Sequence, residues 1–176
     1  MRFLAHAAIT ILMLALLAGV AGFLFTRNGL SARAEPPAIE AALARRIRSI
    51  AIPSGAAARV NPYRDDGQSW IEGGRHFQEH CAVCHGDDGA GKSEIGRNLY
   101  PKAPDMRARE TQELADGELF FVISNGIRYT GMPAWEGEKT PAEIWRMVSF
   151  IRRLPRLEPG DLERLHEGGE SSHRDE

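Results

Sequence analysis

Apolar residues run along this chain in three rhythms, and each predicts a different element. From Ala7 to Phe25 nineteen residues pass without a charge, and Thr10 is the one hydroxyl among them. As a helix rising about 1.5 Å per residue, that stretch is about 28 Å long, close to the ~30 Å hydrocarbon core of a bilayer. The second rhythm follows Pro36-Pro37, which cannot continue a helix. Ile39, Leu43, Ile47 and Ile50 fall at i, i+4, i+8 and i+11, one stripe of an α-helix, with Arg45, Arg46 and Arg48 on the same stretch. Such a stripe suits packing on the next domain or lying on an anionic membrane surface. Turn signals follow at Pro53-Ser54-Gly55, Asn61-Pro62 and Asp66-Gly67.

The third rhythm is a set of shorter helices from Ser69 onward. Ser69 is placed to cap the first, which runs through Trp70-Ile71-Glu72 into the only two cysteines of the protein. Gly73 and Phe77 share a face of it. A glycine inside a helix costs about 1 kcal/mol relative to alanine, so it belongs where a second helix crosses closely. A second helix opens on Asp116 and closes at Asn125-Gly126, as a C-cap would. The last has Thr140 as N-cap, Pro141 at its first position and Glu143 three residues after the cap, a capping box. Its apolar members are Ile144, Trp145, Val148 and Ile151, and it stops before Pro155.

This pattern divides the chain into four parts. Residues 1–34 form an N-terminal membrane anchor. Ala32-Arg33-Ala34 offers a signal-cleavage site, but it lies nine residues beyond an apolar run that is long for a signal, so an uncleaved signal-anchor is expected. Residues 35–68 form a connector with the amphipathic helix, and 69–155 the main domain. Residues 156–176 carry seven acidic and three basic side chains and are expected to be a disordered, charged tail. With 176 residues and 43% hydrophobic composition there is room for one compact domain plus extensions. A net charge of −2 leaves no electrostatic footprint for nucleic acid.

The candidate chemistry is Cys81-Ala82-Val83-Cys84-His85. Two thiols three apart with a histidine directly after is the spacing for covalent c-type haem attachment. One short helical turn lets Cys81 and Cys84 reach the two vinyl groups at the porphyrin edge, and brings the His85 imidazole under the ring as proximal iron ligand. A thioredoxin-type redox pair wants a βαβ pattern that is missing here. A zinc site needs four N/S ligands, and a disulfide across two residues would be strained. The glycine run Gly86 to Gly91 lacks the phosphate-loop pattern; it suits a backbone swinging around a haem edge. His76 and His80 read as solvated or hydrogen-bonded helix residues. For the second axial position the candidates are Met106, Met132, Met147 and the histidines, and Met132 is preferred. It lies on a loop between helices, where Gly131 permits a tight backbone and Pro133 holds the residue before it extended.

Taken together, Gly73-x-x-x-Phe77, Cys81-Ala82-Val83-Cys84-His85-Gly86, Asn125-Gly126-Ile127 with Gly131-Met132-Pro133-Ala134-Trp135, and the Trp145 helix resemble the membrane-attached bacterial single-haem class I cytochromes c. The resemblance covers about half the chain, from Ser69 to Leu154. It implies an all-α class I cytochrome c fold, three main helices wrapped around one covalent haem c, with one N-terminal transmembrane helix. The first and last helices of that domain would cross at Gly73/Phe77 and Trp145. It also implies a backbone carbonyl that accepts the His85 Nδ1 proton. In many relatives a proline in a Gly-Pro-Asn-Leu stretch supplies it; here Gly96-Arg97-Asn98-Leu99 has arginine at that place, and Pro101 and Pro104 follow. His85 and Met132 ligation fills both axial positions, and a soft thioether favours Fe(II). The expected function is a one-electron carrier of a bacterial respiratory or dehydrogenase-linked chain, with no bond chemistry and no small-molecule substrate of its own. The haem domain would face the periplasm and exchange electrons with protein donors and acceptors. The alternatives are a haem enzyme or a gas or peroxide sensor in which Met132 is displaced, or the cytochrome subunit of a larger oxidoreductase complex.

Overall fold

The computed structural model describes residues 2–29 and 31–167. The chain separates into two units, Met1–Ala34 and Glu35–Glu176. The first is built on α1 (Arg2–Asn28), which is long and apolar enough to cross a membrane. The second contains α2 (Ala38–Ala51), α3 (Ser69–His80), α4 (Ala82–His85), α5 (Arg109–Gln112), α6 (Asp116–Asn125), α7 (Pro141–Arg153) and α8 (Pro159–Glu167). Short 3₁₀ turns lie at Gly96–Asn98 and Leu154–Arg156. Among the described residues there is no strand, only an isolated bridge between Glu136 and Lys139.

The crossing of α3 and α7 organises the second unit. Each helix has an apolar face, and at Gly73 a methyl group would overlap the carbonyl of Arg146, so glycine is what lets the two backbones meet. One turn on, Phe77 packs on Phe150 with ring centroids 5.0 Å apart. Ile144, Met147, Val148 and Phe150 fill the α7 side of this core. α6 joins through Phe120, whose ring lies 4.4 Å from that of Trp145. Both helix-end signals are present. Thr140 Oγ1 accepts from the Glu143 N–H while the Glu143 carboxylate accepts from the Thr140 N–H at 2.7 Å. α6 ends at Gly126, whose φ of 64° is the left-handed conformation a C-cap glycine supplies. At the start of α6 there is half a box: the Glu118 carboxylate accepts from the Ala115 N–H at 2.7 Å, but alanine has no side-chain acceptor to return.

Four expectations need correction. Ser69 is the first helical residue of α3 rather than its cap; its hydroxyl donates to Asp66 at 2.6 Å, and Asp66 also accepts from the Gln68 N–H. The later half of the connector is part of the domain. Ile52, Ala56 and Asn61 are buried, and Asn61 Nδ2 donates to the Trp145 carbonyl at 3.1 Å and to Ser149 Oγ at 2.9 Å. The polar turn signals there mark tight turns laid on a core, not a free linker. The α2 stripe does not pack on the domain: Ile39, Leu43, Ile47 and Ile50 are 81%, 59%, 58% and 70% exposed. Finally, residues 159–167 of the expected disordered tail form α8. Leu165 is buried against the core, Asp161 accepts from the Glu158 N–H at 3.1 Å, and Arg153 reaches Asp161 at 3.2 Å. Composition misses this because a helix anchored by two leucines, Leu162 and Leu165, and one capping carboxylate needs few apolar residues. Residues 168–176 of that tail, His173 among them, lie outside the described residues.

Candidate functional site

α3 ends where the chemistry begins. The Cys81 N–H still bonds the Phe77 carbonyl, and α4 then wraps one turn, with the His85 N–H on the Cys81 carbonyl at 2.8 Å. Cys81, Cys84 and His85 therefore sit on a single turn projecting from the end of the core helix. Neither cysteine is in a disulfide. Burial, with a smaller contribution from Cys84, pushes the Cys81 thiol up to about 12. It is thus a neutral thiol, unlike the thiolate of a dithiol redox catalyst.

The loop after His85 folds back over this turn. The Gly91 N–H donates to the His85 carbonyl at 2.7 Å, and Ser93 Oγ donates to the Cys84 carbonyl at 2.9 Å. Gly96 is pressed so closely on the Cys84 carbonyl that no side chain fits. His85 itself is only 8% exposed. Burial lowers its pKa, opposed by the backbone of Pro104, so the ring is neutral with a lone pair to give. Its Nδ1 is shielded from water and closes no hydrogen bond. The Pro104 backbone is near enough to favour a proton on the ring. It is Pro104, not position 97, that stands by His85 in the role of the carbonyl partner. Arg97 is exposed and turns its Nε to the Ser93 carbonyl.

Met132 lies on the loop between α6 and α7. That loop is closed by the Ile127 N–H on the Met132 carbonyl at 3.2 Å, and by Thr130 Oγ1, which donates to the Ile127 carbonyl and accepts from the Met132 N–H. Two contacts hold this loop against residues that flank the cysteine turn. Gly131 rests on Leu99 of the loop that follows His85, and the Trp135 ring lies 5.2 Å from that of His80, next to Cys81. Met106 and Met147 are instead buried in the hydrophobic core, whereas Met132 is only partly buried against its edge.

Three features escaped the sequence reading. Ser93 and Gly96 staple the loop to the Cys84 carbonyl, and only the turn-forming character of serine hinted at it. Arg59 from the former connector lies over Phe120 at 4.2 Å and Trp145 at 5.3 Å, a cation–π stack that no local pattern signals. Arg152 joins α7 to the α5–α6 segment by donating to Asp116 and to the Gln112 and Leu114 carbonyls.

The residues fit a covalent haem c. Two unpaired thiols and a buried, neutral histidine with an orphaned Nδ1 share one turn, and a methionine loop is held against the loops around them. An all-α domain with this turn at the end of the first of two crossed helices is a class I c-type cytochrome domain. The part of the chain from α3 to α7 accordingly has the build of a c-type cytochrome domain, and in the separate N-terminal unit α1 is long and apolar enough to cross a membrane.

Comparison with known proteins agrees. The family described as cytochrome C oxidase, cbb3-type, subunit III matches residues 68–151. The cbb3-type cytochrome c oxidase subunit FixP of Bradyrhizobium sp. (strain ORS 278) is 35% identical over 83 residues, 47% of this chain and 26% of that protein. FixP of Bradyrhizobium diazoefficiens is 35% identical over 89 residues, 50% and 28% of the two chains. FixPc of Rhizobium leguminosarum bv. viciae is 34% identical over 79 residues, 44% and 25%. The chain thus spans about a quarter of the length of these relatives.

Proposed function

We propose that this protein carries single electrons on one haem c, tied through Cys81 and Cys84 and ligated by His85 and Met132, within a bacterial respiratory oxidase or a dehydrogenase-linked chain. When bound, the haem supplies an iron that cycles between Fe(II) and Fe(III). The protein's own part is to hold and tune it. α3 and the 86–104 loop fix His85 as a neutral ligand, and a proton on Nδ1 shared with the Pro104 carbonyl would leave Nε2 for iron. The Thr130-braced loop positions the Met132 thioether, a soft ligand that raises the reduction potential. With both axial positions filled the site is built for electron transfer rather than for bond chemistry, and donor and acceptor are proteins. Their identity follows the relatives only as far as a terminal oxidase assembly. α1 would anchor the chain in the cytoplasmic membrane with the haem domain in the periplasm.

The single observation that supports this reading is that a braced methionine loop packs on both flanks of the Cys81–His85 turn, through Gly131–Leu99 and Trp135–His80. The test is Met132→Ala in the haem-loaded protein. A fall in midpoint potential, loss of the far-red methionine-to-iron band and faster cyanide binding are expected. A potential that stays in place refutes Met132 as ligand. Rapid cyanide or CO binding by the unsubstituted protein would instead favour a haem enzyme or sensor.

A further inference from the structure

The end of α3, on the side that meets the start of α7, carries a second cluster, of which the electron-transfer reading uses only the ring contact of His80 with Trp135. His76 and His80 are four residues apart, one turn along the same face, with Glu79 between them. Donor atoms of the three side chains lie within 4.8 Å of one another. Glu79 Oε2 is 3.5 Å from His80 Nε2 and 3.9 Å from His76 Nδ1. The other nitrogen of His76, Nε2, faces Glu143 Oε1 from the first turn of α7 at 3.6 Å. His76 Nδ1 has no hydrogen-bond partner and is shielded from water.

We propose that His76 Nδ1, His80 Nε2 and the Glu79 carboxylate form a site for a zinc-like first-row divalent cation, with Glu143 orienting His76 from behind. Two imidazoles and one carboxylate are a ligand set that zinc and its neighbours accept, leaving a position for water. A carboxylate on the far nitrogen of a ligating histidine fixes its tautomer and raises its basicity, and Glu143 stands on that side. Burial keeps His76 neutral, as a ligand must be. Glu143 is itself held by its capping box, Oε2 accepting from Thr140, so Oε1 is presented to His76 from a rigid helix start. A bound cation would tie the end of α3, one residue before Cys81, to the start of α7. A protonated His76 paired with the two glutamates is the competing account, and it makes no saturable metal site.

Zinc sulfate titrated calorimetrically into the chelator-treated, haem-loaded full chain tests this, since both cysteines are then occupied. One zinc per chain is expected. Glu79→Gln and His80→Phe, the second preserving the ring contact with Trp135, should each weaken it by at least about tenfold. Glu143→Gln, which can still close the capping box, should weaken it by about 10–100-fold. His76→Gln serves as a second first-position variant should His80→Phe lower the melting temperature without zinc. No saturable binding, or a site equally strong in all four variants and so held by other histidines, overturns the proposal.

Discussion

Gly73 and Gly74 are adjacent in α3, yet alanine at the two positions should behave very differently. At Gly73 the added methyl would meet backbone: it overlaps the Arg146 carbonyl and comes within 2.8 Å of the Met147 nitrogen. Backbone in the middle of α7 cannot yield without moving the helix. At Gly74 the nearest atoms are Leu165 Cδ2 and Cδ1 at 2.7 and 2.9 Å and Phe150 Cδ2 at 2.9 Å. The leucine is on α8 and can change rotamer. Removing a glycine from a helix interior gains about 1 kcal/mol in either case. Overpacking of a close-packed site costs about 1–3 kcal/mol, and the upper end applies where only backbone can give way. Gly73→Ala should therefore be destabilised by about 2 kcal/mol net, and Gly74→Ala should stay within about 1 kcal/mol of the unsubstituted protein. With about 4 °C per kcal/mol for a domain of this size, Gly73→Ala should melt about 8 °C lower. Thermal unfolding of haem-loaded protein, followed by far-ultraviolet circular dichroism, makes the comparison. A Gly73→Ala protein as stable as Gly74→Ala would show that the α3–α7 crossing is not as close as described.

Three other outcomes are expected. Asn61→Ala takes one donor from the Trp145 carbonyl, which keeps Ser149, and strands the Tyr63 N–H, which bonds Asn61 Oδ1 at 2.9 Å; it should cost about 1–3 kcal/mol, read as a lower urea midpoint at unchanged slope. Asp161 has its pKa lowered: burial alone would raise it, and is outweighed by the Glu158 N–H and by Arg153. A carboxylate with a lowered folded pKa stabilises above its ordinary value near 3.8 and loses that contribution as pH falls through the folded value. Amide exchange should accordingly show α8 loosening as pH falls below about 4, and Asp161→Asn should loosen it at neutral pH and flatten that dependence. For α2, the exposed apolar stripe and its arginines fit the headgroup boundary of an anionic membrane. Trypsin cleavage after Arg46 and Arg48 should be slower in nanodiscs with anionic lipid than in neutral ones, and Leu43→Ser with Ile47→Ser should abolish the difference. Equal rates in both lipids would remove the membrane from the account of α2.

What the sequence determined by itself is whatever rests on short-range geometry. The nineteen uncharged residues make α1, the Thr140–Glu143 box starts α7, Asn125-Gly126 stops α6, and the Cys81–His85 spacing is legible because one helical turn sets the distances between its members. Even the α3–α7 crossing was signalled by Gly73, since a helix tolerates such a residue only for a reason. Long-range packing decided the rest. Nothing local says that Asn61 must reach Trp145, that Arg59 covers Phe120, that Leu165 turns an acidic tail into a docked helix, or that Pro104 rather than position 97 stands by His85. Those partners are brought together across tens of residues of chain, and their contribution depends on burial and on which donors and acceptors the fold leaves unmatched. A sequence pattern carries residue types and spacings, and neither quantity can be read from it until the helices have crossed.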